Sequence, residues 1–245
     1  MPRTAVRRTT VVAASLLSLA LTLSACSEAD SGKEDKGGAQ KNAKEVPAAE
    51  LAKLMLTKED VPGHRFKQAT AADLKQTAGE GAKDAKCAPI VDALTLRTGG
   101  KPSHEATQTI TPEPKKPPKD ASPEEQMKAA LGGTTVQIGL VSLAGEGGAD
   151  ALAALEKAGQ DCAGGFDLKG ADATKVKTVE KDGFSAGDES VSLLLTSDLD
   201  EKTTMKTYVV AVRKGSVVAT FAALSLAGET QHPKALVEKQ LAKLG

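Results

Sequence analysis

Four runs of strand-like alternation follow one another closely in the last third of the chain, and they restrict the fold most. Thr174–Glu180, Asp188–Thr196, Met205–Arg213 and Ser216–Leu226 are rich in β-branched residues and alternate with a period of two. Lys214-Gly215 reads as a two-residue hairpin turn joining the last two, with Gly supplying positive φ. Strands joined by links this short lie antiparallel. Earlier strands are predicted at His64–Ala69, His104–Thr111 and Thr134–Leu143, where Val136, Ile138 and Leu140 share a face.

Helical spacing appears between these runs. Pro47 opens a first helix with Leu51, Leu54 and Met55 on one stripe, and Thr57-Lys58-Glu59-Asp60 resembles a capping turn before the break at Pro62-Gly63. Residues 70–86 read as loop, and Pro89–Leu96 as a short helix with Ile90, Val91 and Leu94 inward. Ser122-Pro123-Glu124-Glu125 is a helix start with Ser at the N-cap and Glu at the third position, and that helix stops at Gly132. Ala149–Cys162 places Leu152, Leu155 and Cys162 on one side, and Pro233 starts a final helix with Leu236, Val237, Leu241 and Leu244 inside. Pro112, Pro114, Pro117 and Pro118 exclude a helix or central strand, so 112–133 is an exposed excursion. The pattern predicts an α+β domain, a single antiparallel sheet of about five to six strands with helices packed on one face.

The chain start carries an address. Arg3, Arg7 and Arg8 precede an uncharged run from Val11 to Ala25 that is shorter than the roughly twenty residues of a membrane span. Leu23-Ser24-Ala25-Cys26 resembles the lipobox of bacterial lipoproteins. That resemblance implies cleavage after residue 25, a diacylglycerol on the Cys26 thiol, and a protein held on the extracytoplasmic face of a membrane. The Arg7-Arg8 pair leaves the export route open between the general and twin-arginine pathways. Ser27–Glu45 lacks large apolar residues and reads as a disordered tether reaching about 25 Å. The domain proper is expected over 46–245.

With Cys26 assigned to lipid, Cys87 and Cys162 remain as an even pair in an oxidising compartment, and a structural disulfide follows. The C-x-x-C spacing of a reactive thiol pair is absent.

Composition narrows the function classes. Removing residues 1–25 takes away three arginines and no acid, turning 32 basic against 32 acidic residues into a net charge of −3. Nothing in that balance favours nucleic acid. Four Phe, one Tyr and no Trp leave few aromatic faces for sugars, bases or quaternary amines.

Three motifs invite catalytic or binding readings. Gly183-Phe184-Ser185-Ala186-Gly187 matches G-x-S-x-G, with Asp198 and His232 following in hydrolase order, but a strand pattern follows the serine where the nucleophile elbow needs a helix. The Gly145 turn sits between a strand and a helix, yet Asp150 occupies the sixth position of a dinucleotide fingerprint and would face the pyrophosphate. His64, His104 and His232 stand apart without metal-ligand spacing. We therefore expect no catalytic residues, no metal and no cofactor.

Scattered across the domain are Leu56-Thr57 with Asp60-Val61-Pro62-Gly63, Cys87, a helix ending at Cys162, Gly187-Asp188-Glu189, and Val212-Arg213-Lys214-Gly215. In this order they resemble actinobacterial sensor-type lipoproteins with a PknH-like extracellular domain. The resemblance implies one antiparallel sheet packed by helices, a ligand-accepting groove with its residues unassigned, and binding or sensing in place of catalysis. A carrier of lipid or another apolar ligand is the alternative. A monomer bound to the membrane through Cys26, with a small ligand or an envelope component as partner, completes the expectation.

Overall fold

In β8 and β9, apolar residues face both ways. Val209 and Ala211 point to one side of β8 (Thr204–Lys214), Val210 and Val212 to the other; β9 (Val217–Leu224) is buried along seven of its eight residues. A strand without a polar face must be covered on both sides, and this dictates the architecture.

In this computed structural model the described residues are 45–70, 81–97, 106–131, 133–169, 175–198, 203–227 and 229–245. They belong to one compact unit. The expected signal segment, Cys26, the expected tether up to residue 44, residues 71–80 of the expected loop, His104 and Gly132 lie outside them.

The remaining strands are β1 (His64–Gln68), β2 (Gly81–Ala82), β3 (Ala106–Pro112), β4 (Thr135–Ser142), β5 (Phe166–Lys169), β6 (Lys175–Lys181) and β7 (Glu189–Asp198). They form a nine-stranded sheet in the order β1-β3-β4-β9-β8-β7-β6-β5-β2, with every pairing antiparallel. The expected five to six strands are thus too few. β2 and β5 were not anticipated, because two and four residues at a sheet edge show no readable period.

The helices are α1 (Ala48–Leu54), α2 (Ala88–Leu94), α3 (Pro123–Leu131), α4 (Gly147–Asp161) and α5 (Lys234–Leu244). The expectation of helices on one face is corrected, since α2 and α4 cover one side of the sheet while α1 and α5 cover the other. The first core joins Ile90, Val91, Leu152 and Leu155 to Leu193, Leu195 and Val209. The second joins Leu51, Met55, Leu236 and Val237 to Ile138, Val210 and Phe221. Gln240 ties the second pair together, donating from Nε2 to the Leu54 carbonyl at 2.7 Å.

Register corrects the last hairpin by one residue. Lys214 pairs with Val217, so the turn is Gly215-Ser216, with Gly215 at φ +60°. The capping box before α3 forms as read: Ser122 N–H donates to Glu125 Oε2 at 2.7 Å, and Glu125 N–H to Ser122 Oγ at 3.3 Å. α3 buries no residue, in keeping with an exposed excursion. Cys87 and Cys162 form the disulfide, with Cα atoms 6.0 Å apart.

Candidate functional site

Cys87 directly precedes α2 and Cys162 directly follows α4, so the disulfide joins the start of one helix to the end of the other. The two helices pack against each other. At 1.5 Å per residue, the 7 residues of α2 cover about 10 Å and the 15 of α4 about 22 Å. A groove lies over the sheet between these two helices of unequal length.

Local chemistry stops α2. Thr95 Oγ1 donates to the Val91 carbonyl at 2.8 Å, and Leu96 adopts φ +55°, a left-handed conformation that is strained for a branched residue. The Leu96 N–H then reaches the Ala93 carbonyl and the Arg97 N–H the Asp92 carbonyl. This is the Schellman pairing, with leucine where glycine is usual. Burial of Leu96 in the protein holds the turn, as does the Arg97–Asp92 ion pair at 3.4 Å, whose side chains are 9% and 13% exposed.

The groove encloses about 450 Å³, within the range of small-molecule sites. Ala211, Val218 and Thr220 form its floor, Ala151, Leu152 and Leu155 of α4 one wall, and Pro89 and Ala93 of α2 the other. Leu143 and Gly147 close one end, and Ala154 lies on the outer lip of α4. The charged lining residues are both acids, Asp92, already engaged by Arg97, and Asp150. Among the described residues, no aromatic ring lines it.

The chain enters the domain at the same end of the sheet. Val46 N–H donates to Ser142 Oγ at 2.8 Å, Ser142 Oγ donates to Ser216 Oγ at 3.1 Å, and Leu143 N–H donates to the Ser216 carbonyl. Leu143 therefore follows the residue that holds Val46, near the start of the described chain.

Residues of the hydrolase-like motif are dispersed. Ser185 is exposed on the link between β6 and β7, and strand β7 follows it. Asp198 pairs with Lys177 at 2.9 Å. His232 meets a different serine and acid: its Nε2 lies 3.2 Å from Ser192 Oγ and 3.0 Å from Asp182 Oδ2, while Ser192 Oγ donates to the same Asp182 oxygen at 3.0 Å. In a nucleophilic triad the acid holds one ring nitrogen and the serine the other; here both crowd Nε2, and Ser192 is buried. The ring sits between Phe184 and Tyr208, at centroid distances of 4.7 and 5.0 Å. Burial pushes the imidazole below its ordinary value, against the opposing pull of Asp182. This is a packed polar knot under α5.

The Gly145 turn leads into α4, and Gly147 contributes to the groove. His64 Nδ1 lies 3.1 Å from the Pro62 carbonyl. Among the described residues no cluster of His, Cys, Asp and Glu has the form of a metal site.

Motifs that carried the resemblance turn out to be joints of the framework. Asp188 N–H donates to the Arg213 carbonyl at 2.8 Å, and Gly215 N–H to Asp188 Oδ2 at 2.7 Å. Arg213 Nε donates to Glu189 Oε2 at 3.0 Å. Gly187 has φ +67°, and a Cβ there would lie 2.5 Å from the Arg213 carbonyl oxygen. At the other joint, Thr57 N–H and Oγ1 both donate to Asp60 Oδ2, and Leu56 and Val61 are buried in the second core.

Comparisons with known proteins can now be placed beside this geometry. No protein-family model matches the chain, and no curated protein matches it either. Solved structures do. The extracellular domain of PknH from Mycobacterium tuberculosis is similar over 82% of this chain and 96% of that one, at 13% identity and a TM-score of 0.48. A Mycobacterium smegmatis protein described as the Rv0999 ortholog is similar over 80% of this chain and 94% of that one, at 12% identity and a TM-score of 0.40. The first is the domain type that the scattered sequence motifs resemble.

Proposed function

We propose that the protein is a lipid-anchored module on the extracytoplasmic face of the membrane that binds a ligand without transforming it, the ligand lying in the groove between α2 and α4. The observation that carries this reading is the groove itself: about 450 Å³ of mostly apolar space between α2, α4 and the sheet. The dispersal of Ser185, Asp198 and His232 supports binding over hydrolysis. Anchoring rests on the lipobox-like Leu23-Ser24-Ala25-Cys26.

Two measurements test it. Cys26→Ala is expected to move the protein out of the membrane fraction; unchanged membrane association overturns the anchor. Residues 45–245 contain both cores and the disulfide and so form a self-contained unit. Secreted without the lipid from its host and analysed by native mass spectrometry, this unit is expected to carry a small-molecule adduct that Ala154→Trp removes. An adduct-free domain that also binds nothing from an envelope extract overturns the binding role. The apolar lining of the groove also favours a second reading, a carrier of lipid or another apolar ligand.

A further inference from the structure

Resting on the reading of the groove as the binding site, we infer that its ligand is a single alkyl chain bearing an uncharged or cationic head, drawn from an amphiphile of the membrane to which the protein is tethered. Shape comes first. Floor and walls are Ala, Val and Leu side chains with one hydroxyl, Thr220. Such a lining rewards burial of methylenes and offers few partners to a ligand rich in polar groups, whose unmet hydrogen bonds would each weaken binding. Without an aromatic face it also gives a flat ring system nothing to stack on.

Size follows. A methylene takes up about as much room as a water molecule, roughly 30 Å³, so 450 Å³ holds a chain of roughly fifteen carbons. Charge then selects the head. Asp150 stands at the groove without a cation partner among the described residues, whereas Asp92 is matched by Arg97. With Asp92 matched by Arg97, the ionised side chains lining the groove leave one unmatched carboxylate, Asp150 in the first turn of α4, which disfavours a carboxylate or phosphate head. Position is compatible with that source: Leu143, at one end of the groove, follows Ser142, whose hydroxyl accepts from the Val46 N–H near the start of the described chain.

The test uses residues 45–245 and three probes sharing one chain: 1-monopalmitoylglycerol, cetyltrimethylammonium and palmitate, each below its aggregation threshold. The neutral and cationic probes are expected to bind about tenfold more tightly than palmitate, and Asp150→Asn to narrow that gap. Within a monoacylglycerol series, affinity is expected to rise roughly fourfold per added methylene and to level off near fifteen carbons. Ala154→Trp, at an exposed helix position, fills the lip without touching a core and is expected to lower affinity at least tenfold for all chains at an unchanged melting temperature. Tight binding of a non-alkyl ligand that Ala154→Trp abolishes, with no alkyl binding, overturns this inference and leaves the binding role intact. Equal affinity for palmitate and its uncharged analogue overturns the head selection.

Discussion

Lys243 Nζ lies 2.6 Å from Asp60 Oδ2 and joins the last turn of α5 to a turn 183 residues earlier. The same carboxylate oxygen accepts from the Thr57 N–H and hydroxyl, and Lys239 Nζ reaches the Asp60 carbonyl at 2.8 Å. The Lys243 ammonium, with the Thr57 backbone N–H next, holds the Asp60 carboxyl at about 2, below its ordinary 3.8.

A carboxyl with a lowered folded value contributes stability that is complete above its unfolded value and lost on acidification. The Asp60 contribution should therefore fade as pH falls from about 4 to about 2. Asp60→Asn is expected to lower the melting temperature at pH 7 by about 2–4 °C, as for one partly exposed pair with its turn bonds, and to flatten the profile between pH 4 and 2. Thermal melts across that range, wild type against variant, check it; parallel curves would refute it.

Arg213 serves three partners from a side chain that is only 12% exposed: Glu189, Asp188 and the Gly215 carbonyl. A lysine cannot span them, having one charged nitrogen in place of a fork. Arg213→Ala is expected to cost about 2–3 kcal/mol and Arg213→Lys most of that, read from urea midpoints. Full rescue by lysine would show that charge alone matters there.

His232 gives a second pH window. Burial lowers its folded value, so the native state prefers the neutral ring; stability is complete above about 6.5 and falls as pH drops through the lowered folded value. His232→Gln is expected to keep a hydrogen bond to Asp182 or Ser192 and to abolish the fall in stability that begins below about 6.5. Melting temperature against pH, with both proteins in the same buffers, decides this.

The disulfide closes a 75-residue separation, worth about 4 kcal/mol in the chain-entropy account. The double variant Cys87→Ala, Cys162→Ala is expected to lose about that much. It should also weaken ligand binding, since α2 is only seven residues long and the bridge pins it against α4. Denaturant curves with and without reductant test the first part; reductant that leaves the wild-type midpoint unmoved would contradict it.

How far the chain could be read varies by element. The capping box at Ser122, the face shared by Val136, Ile138 and Leu140, and the Cys87–Cys162 bridge depend on local spacing or on simple counting, and each appears as read. The second helical layer was missed, although Val217–Leu224 contains no polar alternation and such a strand has to be covered on both faces. The short strands β2 and β5 were not readable. Their two and four residues are placed by neighbours in the sheet and carry no periodicity of their own.

Local pattern by itself determined the antiparallel strands, the helix starts and the cysteine pair, since hydrophobic period, capping chemistry and hairpin length act over a few residues. Only tertiary structure decided where those pieces meet. The groove exists because α2, which stops at a strained Leu96, and the longer α4 pack side by side over Ala211, Val218 and Thr220. His232 meets Ser192 and Asp182, not the Ser185 and Asp198 of the hydrolase-like motif, because strand pairing and the docking of α5, not order along the chain, set which side chains share a space.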